Sequence, residues 1–350
     1  MTNMFNSMMI KNWKAKNRIV VPPMVCFSFT GEDGFATEDN INHYKAFAEG
    51  GAGVVVLEAH AVEKDGRLSS DQMGIWSDEF IECLKPIAEN FHNNDVISLV
   101  QIHHAGLKSP KNVVDLPIAP SDYDKDGTVA REMTMDEIKR VQQSFLKAAL
   151  RVKKAGFHGI ELHGAHGYLI DQFMSPITNK RNDEYGGTIE NRMRFALEIV
   201  EMIKAEVGED FILGYRMGGN APTLTEGIEI AKALESKGVD LLHVSAGITG
   251  ESIPEPPKDF PYNWIVYCGT EIKKEVKIPV IVVNGIRTPE QAGYIIENKL
   301  ADFVAVGRGH LVDPNWVKKA ESSMTPSPCL KCQKCLWFKN GRHCPGRKAV

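Results

Sequence analysis

Short apolar runs rich in β-branched residues alternate along the chain with longer stretches in which apolar positions recur every three or four residues. The runs fall at 19–21, 54–58, 97–102, 159–163, 212–217, 241–245, 280–283 and 303–306. Most are apolar throughout, the pattern of parallel strands covered on both faces. Between them, 135–155, 190–206 and 226–237 read as amphipathic helices. Thr134-Met-Asp-Glu137 offers a capping box at the start of one, and Thr288-Pro289-Glu290 places proline in a first helical turn. Eight strands, most followed by a helix, predict an α/β fold closed as a (β/α)8 TIM barrel; a doubly wound open sheet is the second solution of the same pattern. No G-x-G-x-x-G follows the first strand, which counts against a dinucleotide-binding open sheet. The composition changes at Ser322, where Ser-Ser-Met-Thr-Pro-Ser-Pro leads into a cysteine-rich end. The expected organisation is a barrel over 1–321 and a short tail over 322–350.

Composition narrows the function classes. With 350 residues, 41 basic and 45 acidic side chains, the chain is large enough for one barrel and has no global basic footprint for nucleic acid. No apolar run reaches the roughly 20 residues of a membrane span. The N-terminal stretch lacks a signal-type apolar core, so the expected location is cytoplasmic. Cys26, Cys83 and Cys268 are scattered, whereas Cys329, Cys332, Cys335 and Cys344 crowd the C-terminus. Tight C-x2-C spacing in a reducing compartment points to metal rather than to disulfides.

Functional groups of such barrels sit at the C-terminal ends of the strands. Glycines after the seventh and eighth strands, in Asn284-Gly285 and Gly307-Arg308, let backbone N–H groups approach a phosphate, with Arg308 adding charge; the alternative is that they only serve tight turns. The fourth strand ends in His163-Gly-Ala-His166-Gly-Tyr168. Two imidazoles converging on one oxygen can hold a substrate carbonyl, form half of a metal site, or cap the strand structurally. Tyr168 is either a proton donor or a half-buried aromatic with a satisfied hydroxyl.

Several longer stretches resemble the old yellow enzyme family of flavin oxidoreductases. They are Asn17-Arg-Ile-Val-Val-Pro22-Pro23-Met24, Gly51 through Glu58-Ala59, Gln101-Ile-His103-His104-Ala-Gly106 and His163 through Tyr168-Leu169. The most specific runs from Ser175-Pro176 through Asn179, Arg181, Asp183, Tyr185-Gly-Gly187 and Glu190-Asn-Arg192 to Arg194-Phe195. Within the family the likeness is to the bacterial branch that includes 2,4-dienoyl-CoA reductase, without its appended FAD and NAD(P)H domain. The resemblance implies FMN at the barrel mouth, with Pro23, Met24, Val25 and the Ala59 backbone along the isoalloxazine. It further implies Gln101 at the pyrimidine edge, Arg216 near N1–C2=O, and Asn284, Gly285, Gly307 and Arg308 at the phosphate. NAD(P)H would be the electron donor. The implied activity is ene-reduction: hydride from flavin N5 to the β-carbon of an enone, enoate, enoyl thioester or 3-keto steroid. His163 and His166 would hold the activating oxygen and Tyr168 would give the proton.

The chain departs from the family in three places. Val25 stands where some relatives carry a flavin-tuning cysteine, with Cys26 one residue later, so Cys26 is not assigned to catalysis. Leu107 and then Lys108 follow His-Ala-Gly where relatives have arginine. The tail, Cys329-x2-Cys332-x2-Cys335-x8-Cys344-Pro, has a shorter final gap than the cluster-binding run of that branch. Four thiolates suit a [4Fe–4S] cluster, which the spacing favours, or tetrahedral zinc, or they stay empty. Lys331, Lys334, Lys339, Arg342, Arg347 and Lys348 form a basic patch that is either solvated or a docking face for an acidic ferredoxin, a flavodoxin or an FAD-containing partner. A homo-oligomer is also compatible. An iron–sulfur electron-transfer subunit, with catalysis in a partner, is therefore the alternative to an ene-reductase.

Overall fold

The structure is a computed structural model and describes residues 3–125 and 127–347, so Lys348 lies outside it. Eight parallel strands close into a barrel: β1 (Ile19–Val21), β2 (Val54–Ala61), β3 (Ile97–His103), β4 (Gly159–Gly164), β5 (Ile212–Gly218), β6 (Leu241–Ser245), β7 (Val280–Val283) and β8 (Phe303–Ala305). Each strand neighbours the next in sequence, and β8 closes on β1 through Val304 opposite Ile19 and Ala305 opposite Val20. This is the TIM barrel expected from the apolar runs, and the open sheet is excluded by that closing pair.

Most strands end within a residue or so of their apolar runs. β2 continues three residues further, to Ala61, across a register shift between Leu57 and His60. The polar residues there are buried because each finds a partner. Glu58 accepts from the Cys26 N–H at 2.8 Å and from the Tyr44 hydroxyl at 3.1 Å, and the His60 ring pairs with the Glu58 carbonyl at 2.7 Å. Apolarity alone gave no reason to extend the strand through them.

The helix Met135–Lys154 forms as its capping box predicts, with Thr134 and Glu137 satisfying each other's backbone N–H groups. Its buried stripe of Ile138, Val141, Phe145, Ala148 and Val152 covers the outer face of the barrel. At the helix Pro289–Glu297 the box partner of Thr288 is Gln291.

A short hairpin, Met8–Ile10 with Trp13–Ala15, closes the N-terminal end of the barrel. Ile10 and Ala15 join the inner cluster of Val20, Val54, Ile97, Ile212, Leu241 and Phe303. Its two three-residue strands are too short to show a period, and so the sequence pattern did not reveal them. With this end plugged, the accessible mouth is the opposite one, where the strands end.

The tail runs back over the loop that leaves β1. Trp337 is buried against Phe29 and His43, and its indole N–H donates to the Val25 carbonyl at 2.7 Å. The Gly341 N–H donates to the Phe27 carbonyl at 2.9 Å. Arg342 pairs with Asp39 and bonds the Ser28 carbonyl, while Arg347 approaches the His43 ring. Two cations of the basic patch are thus engaged within the chain, leaving Lys331, Lys334 and Lys339 exposed.

Candidate active site

Strand ends bring together residues that lie far apart in sequence. Pro23, Met24 and Val25 leave β1 as a half-buried strip at the mouth. Ala59 on β2, Gln101 on β3, His163 on β4 and Arg216 on β5 are buried. Register puts Gln101 beside Glu161, and Arg216 beside both His163 and His243. Asn284 and Gly285 follow β7, and Gly307 and Arg308 follow the neighbouring β8. Asn284 and Gly285 both have left-handed backbone, with φ of 94° and 76°, a turn that favours glycine. A side chain at Gly307 would approach Met24 Sδ at 3.3 Å, so glycine keeps this corner open.

The histidine pair has a defined geometry. His163 Nε2 and His166 Nδ1 stand 3.3 Å apart, near enough for one oxygen to bridge them. Burial pushes both imidazoles well below the usual histidine range, so both are neutral at pH 7 and each carries a single N–H. The Ser245 hydroxyl lies 2.7 Å from His166 Nε2. When it donates there, the proton of His166 sits on Nδ1, facing the gap shared with His163. Ser245 was not singled out in the sequence. Its signal was its place as the last residue of a barrel strand, one strand beyond Arg216.

Tyr168 packs edge-on to His163, with ring centroids 4.8 Å apart, and to His103 at 4.9 Å. Burial raises its phenol above the ordinary value, which keeps the group protonated and able to act as an acid. Lys108, one residue beyond the position where relatives carry arginine, reaches the same place. Its ammonium donates to the His166 carbonyl at 2.5 Å and lies 5.4 Å from the centre of the Tyr168 ring. His103 is held by Gln72 at 2.7 Å and lies behind Tyr168, supporting it from the interior.

The mouth suits a polar planar cofactor. Arg216 Nε, His163 Nδ1 and His243 Nε2 are buried with no hydrogen-bond partner, and a buried polar atom left unpaired costs about 1–3 kcal/mol. They lie on adjacent strands across the barrel from β1, whose half-buried Pro23–Met24–Val25 strip supplies an apolar wall at the same mouth. A flavin, with a polar pyrimidine edge and an apolar ring face, matches that combination.

The tail does not provide a comparable fit for a metal. Cys329, Cys335 and Cys344 are half-buried, Cys332 is exposed, and all four are free thiols. Among the described residues, no group of three or more His, Cys, Asp or Glu side chains is arranged to hold a metal ion. Four-coordinate ligation needs the sulfurs to converge on one point. The expectation of [4Fe–4S] or zinc at Cys329, Cys332, Cys335 and Cys344 therefore finds no support in this arrangement, in which Trp337 ties the segment to the barrel.

Comparison with known proteins agrees with the barrel. The pattern of the family described as "NADH:flavin oxidoreductase / NADH oxidase family" matches residues 3–326. An NADH oxidase of Thermoanaerobacter brockii is 46% identical over 347 residues, covering 95% of this chain and 52% of the relative. A solved 2-naphthoyl-CoA reductase, in complex with 2-naphthoyl-CoA, superposes with a TM-score of 0.87 at 28% identity, covering 97% of this chain and 56% of that one. The chain thus spans about half the length of these two proteins. An old yellow enzyme homologue from Zymomonas mobilis superposes with a TM-score of 0.78 at 28% identity, covering 94% of this chain and 95% of its own.

Proposed function

The chain belongs to the NADH:flavin oxidoreductase / NADH oxidase family, the old yellow enzymes among its structural neighbours, and from that premise we propose that it is an FMN-dependent ene-reductase acting on an α,β-unsaturated carbonyl. The observation that carries the reading is the pair of neutral imidazoles 3.3 Å apart with a protonated, buried Tyr168 against them. His163 and His166 meet at one point, with the Nδ1–H of His166 turned toward it, and hold the carbonyl oxygen of the substrate there, strengthening their grip as negative charge develops. Tyr168 delivers a proton to the α-carbon. Pro23, Met24, Val25 and Ala59 would hold FMN along its ring, with Gln101 and Arg216 toward its pyrimidine side and Asn284, Gly285, Gly307 and Arg308 toward its phosphate; when bound, it would supply the hydride. NAD(P)H is the proposed electron source, in keeping with the family.

Neutral histidines suit an uncharged carbonyl, which favours an enone, a 3-keto steroid or an enoyl thioester over an enoate; among these the thioester is supported by the likeness to a reductase of 2-naphthoyl-CoA. Rapid anaerobic mixing of reduced protein with cyclohexenone tests the reading through flavin absorbance. Reoxidation by the alkene is expected. Indifference to cyclohexenone and to a panel of enoates and thioesters would instead favour an electron-transfer subunit. The cysteine spacing is the one support for a cluster in the tail, and no step is derived through it. Iron, sulfide and zinc analysis of anaerobically purified protein decides that point directly.

Arg308→Ala should weaken FMN retention by about ten- to a hundredfold, the range of one charge-assisted hydrogen bond. Fluorescence titration of the apoprotein with FMN measures this, and wild-type affinity in the variant would remove Arg308 from the phosphate site.

A further inference from the structure

Glu161 is a buried carboxylate beside Gln101 in the barrel register, and none of the steps above uses it. It is 1% exposed and lies on β4, between the strands of Gln101 and Arg216. One oxygen accepts from Gln101 Nε2 at 2.7 Å and the other pairs with His243 Nδ1 at 2.8 Å. Burial lowers the His243 imidazole below its ordinary range, so the ring is neutral and its single proton lies on Nδ1, donated to Glu161. Nε2 of His243 then carries only a lone pair and is unpartnered. Gln101, Glu161 and His243 are thus hydrogen-bonded in a row, and Arg216 stands beside His243 in the register of β5 and β6.

Two consequences follow from this arrangement. An amide whose nitrogen is fixed on a carboxylate has its oxygen turned the other way, so Gln101 presents an acceptor to the mouth, as the N3–H of a flavin requires. The carboxylate of Glu161 also offsets the charge of Arg216, whose guanidinium it favours, while the neutral His243 adds none. In a low-dielectric interior such an offset strongly reduces the field on anything bound nearby.

We propose that Glu161 is a positioning residue that orients Gln101 toward the flavin and, by offsetting the charge of Arg216, holds down the flavin's reduction potential. This rests on the FMN reading above. Reduced flavin is anionic at N1–C2=O, and a cation stabilises it. With Arg216 half-neutralised, electrons are less tightly held and pass more readily to an alkene. Glu161→Gln keeps the size of the side chain and removes its charge, leaving Arg216 unopposed.

The experiment compares FMN-loaded wild type with Glu161→Gln and Glu161→Asp by dye-equilibrated redox titration and by stopped-flow measurement of each half-reaction. For Glu161→Gln, the equilibrium constant for two-electron reduction should rise about tenfold, equivalent to about 30 mV. Flavin reduction by NAD(P)H should quicken while reoxidation by cyclohexenone slows. A merely structural residue would slow both. Glu161→Asp, which keeps the charge, should stay near the wild-type potential. FMN-loaded Glu161→Gln with the wild-type potential would overturn the proposal. Should Glu161→Gln not fold, reduced-minus-oxidised infrared difference spectra of wild type carrying isotope-labelled glutamate decide it. A carboxylate band moving on flavin reduction is expected, and the absence of any such band would overturn the proposal. Failure of wild type itself to retain FMN would instead overturn the functional reading, and this inference with it.

Discussion

Tyr168→Phe should slow reoxidation of the reduced flavin by an alkene by about 10²–10⁴-fold, the usual contribution of a positioned general acid. Reduction of the flavin by NAD(P)H should be nearly unchanged, because only the alkene half-reaction consumes this proton. The substitution removes one oxygen and leaves the ring, so the edge contacts to His163 at 4.8 Å and His103 at 4.9 Å remain and the histidine pair keeps its place. Burial raises the phenol's pKa, which keeps Tyr168 fully protonated through neutral pH. The oxidative rate of wild type should accordingly stay flat across neutral pH and fall only on the alkaline side, where the phenol loses its proton. Stopped-flow absorbance separates the two half-reactions. Equal oxidative rates for Tyr168→Phe and wild type would place the proton source elsewhere, with solvent as the remaining donor.

The second large effect concerns the tail. Replacing a buried tryptophan by alanine costs about 3–5 kcal/mol through lost burial and the cavity left behind. Trp337 is 2% exposed, stacks near Phe29 and His43, and donates to the Val25 carbonyl. The segment has no regular element longer than three residues around it, the turns Leu336–Phe338 and Gly341–His343, so the loss should appear as local undocking before global unfolding. Exchange of the Gly341 amide, bonded to the Phe27 carbonyl at 2.9 Å, should accelerate by about 10²–10³-fold in Trp337→Ala. Trp337→Phe, which keeps most of the burial and loses only the indole bond, should cost about 1 kcal/mol. Because Val25 belongs to the strip proposed to face the flavin, the flavin's visible circular dichroism should change in the alanine variant. Unchanged exchange at Gly341 would show that Arg342 and Arg347, rather than Trp337, hold the tail.

The barrel was legible in the sequence because its determinants are local. A strand buried on both faces must be apolar at every position, and a helix lying over it must repeat its apolar residues with the helical period; both patterns are written along the chain. The positions at the C-terminal ends of β4, β7 and β8 were legible for a related reason, since in this fold a residue at a strand's end lies at the mouth wherever the strand stands in the sequence. The histidine pair, Tyr168 and the glycines were singled out as candidates in this way, and Arg216 by the family resemblance.

What tertiary structure alone decided is contact between residues that share no local pattern. The N-terminal hairpin is too short to carry a period, and its role as a plug follows only from Ile10 and Ala15 entering the inner cluster. Ser245 reaches His166 across 79 positions of sequence, and His243 reaches Glu161 across 82. In each case one residue comes from β6 and the other from β4 or the loop after it, two strands separated by β5, so the pair meets only when the barrel closes. Lys108 departs from the family pattern in sequence, and only the fold shows its flexible stem bringing the ammonium over Tyr168. The tail shows the converse. Cysteine spacing is a local property and suggested a metal, but ligation requires the sulfurs to meet at a point in space. What the structure shows of that segment is the docking of Trp337 against Val25, 312 positions away, which no local spacing announces. Sequence determined which segments are strands and helices, because their burial pattern is periodic; which polar groups meet was decided by register and packing, because those distances are fixed only when the barrel closes.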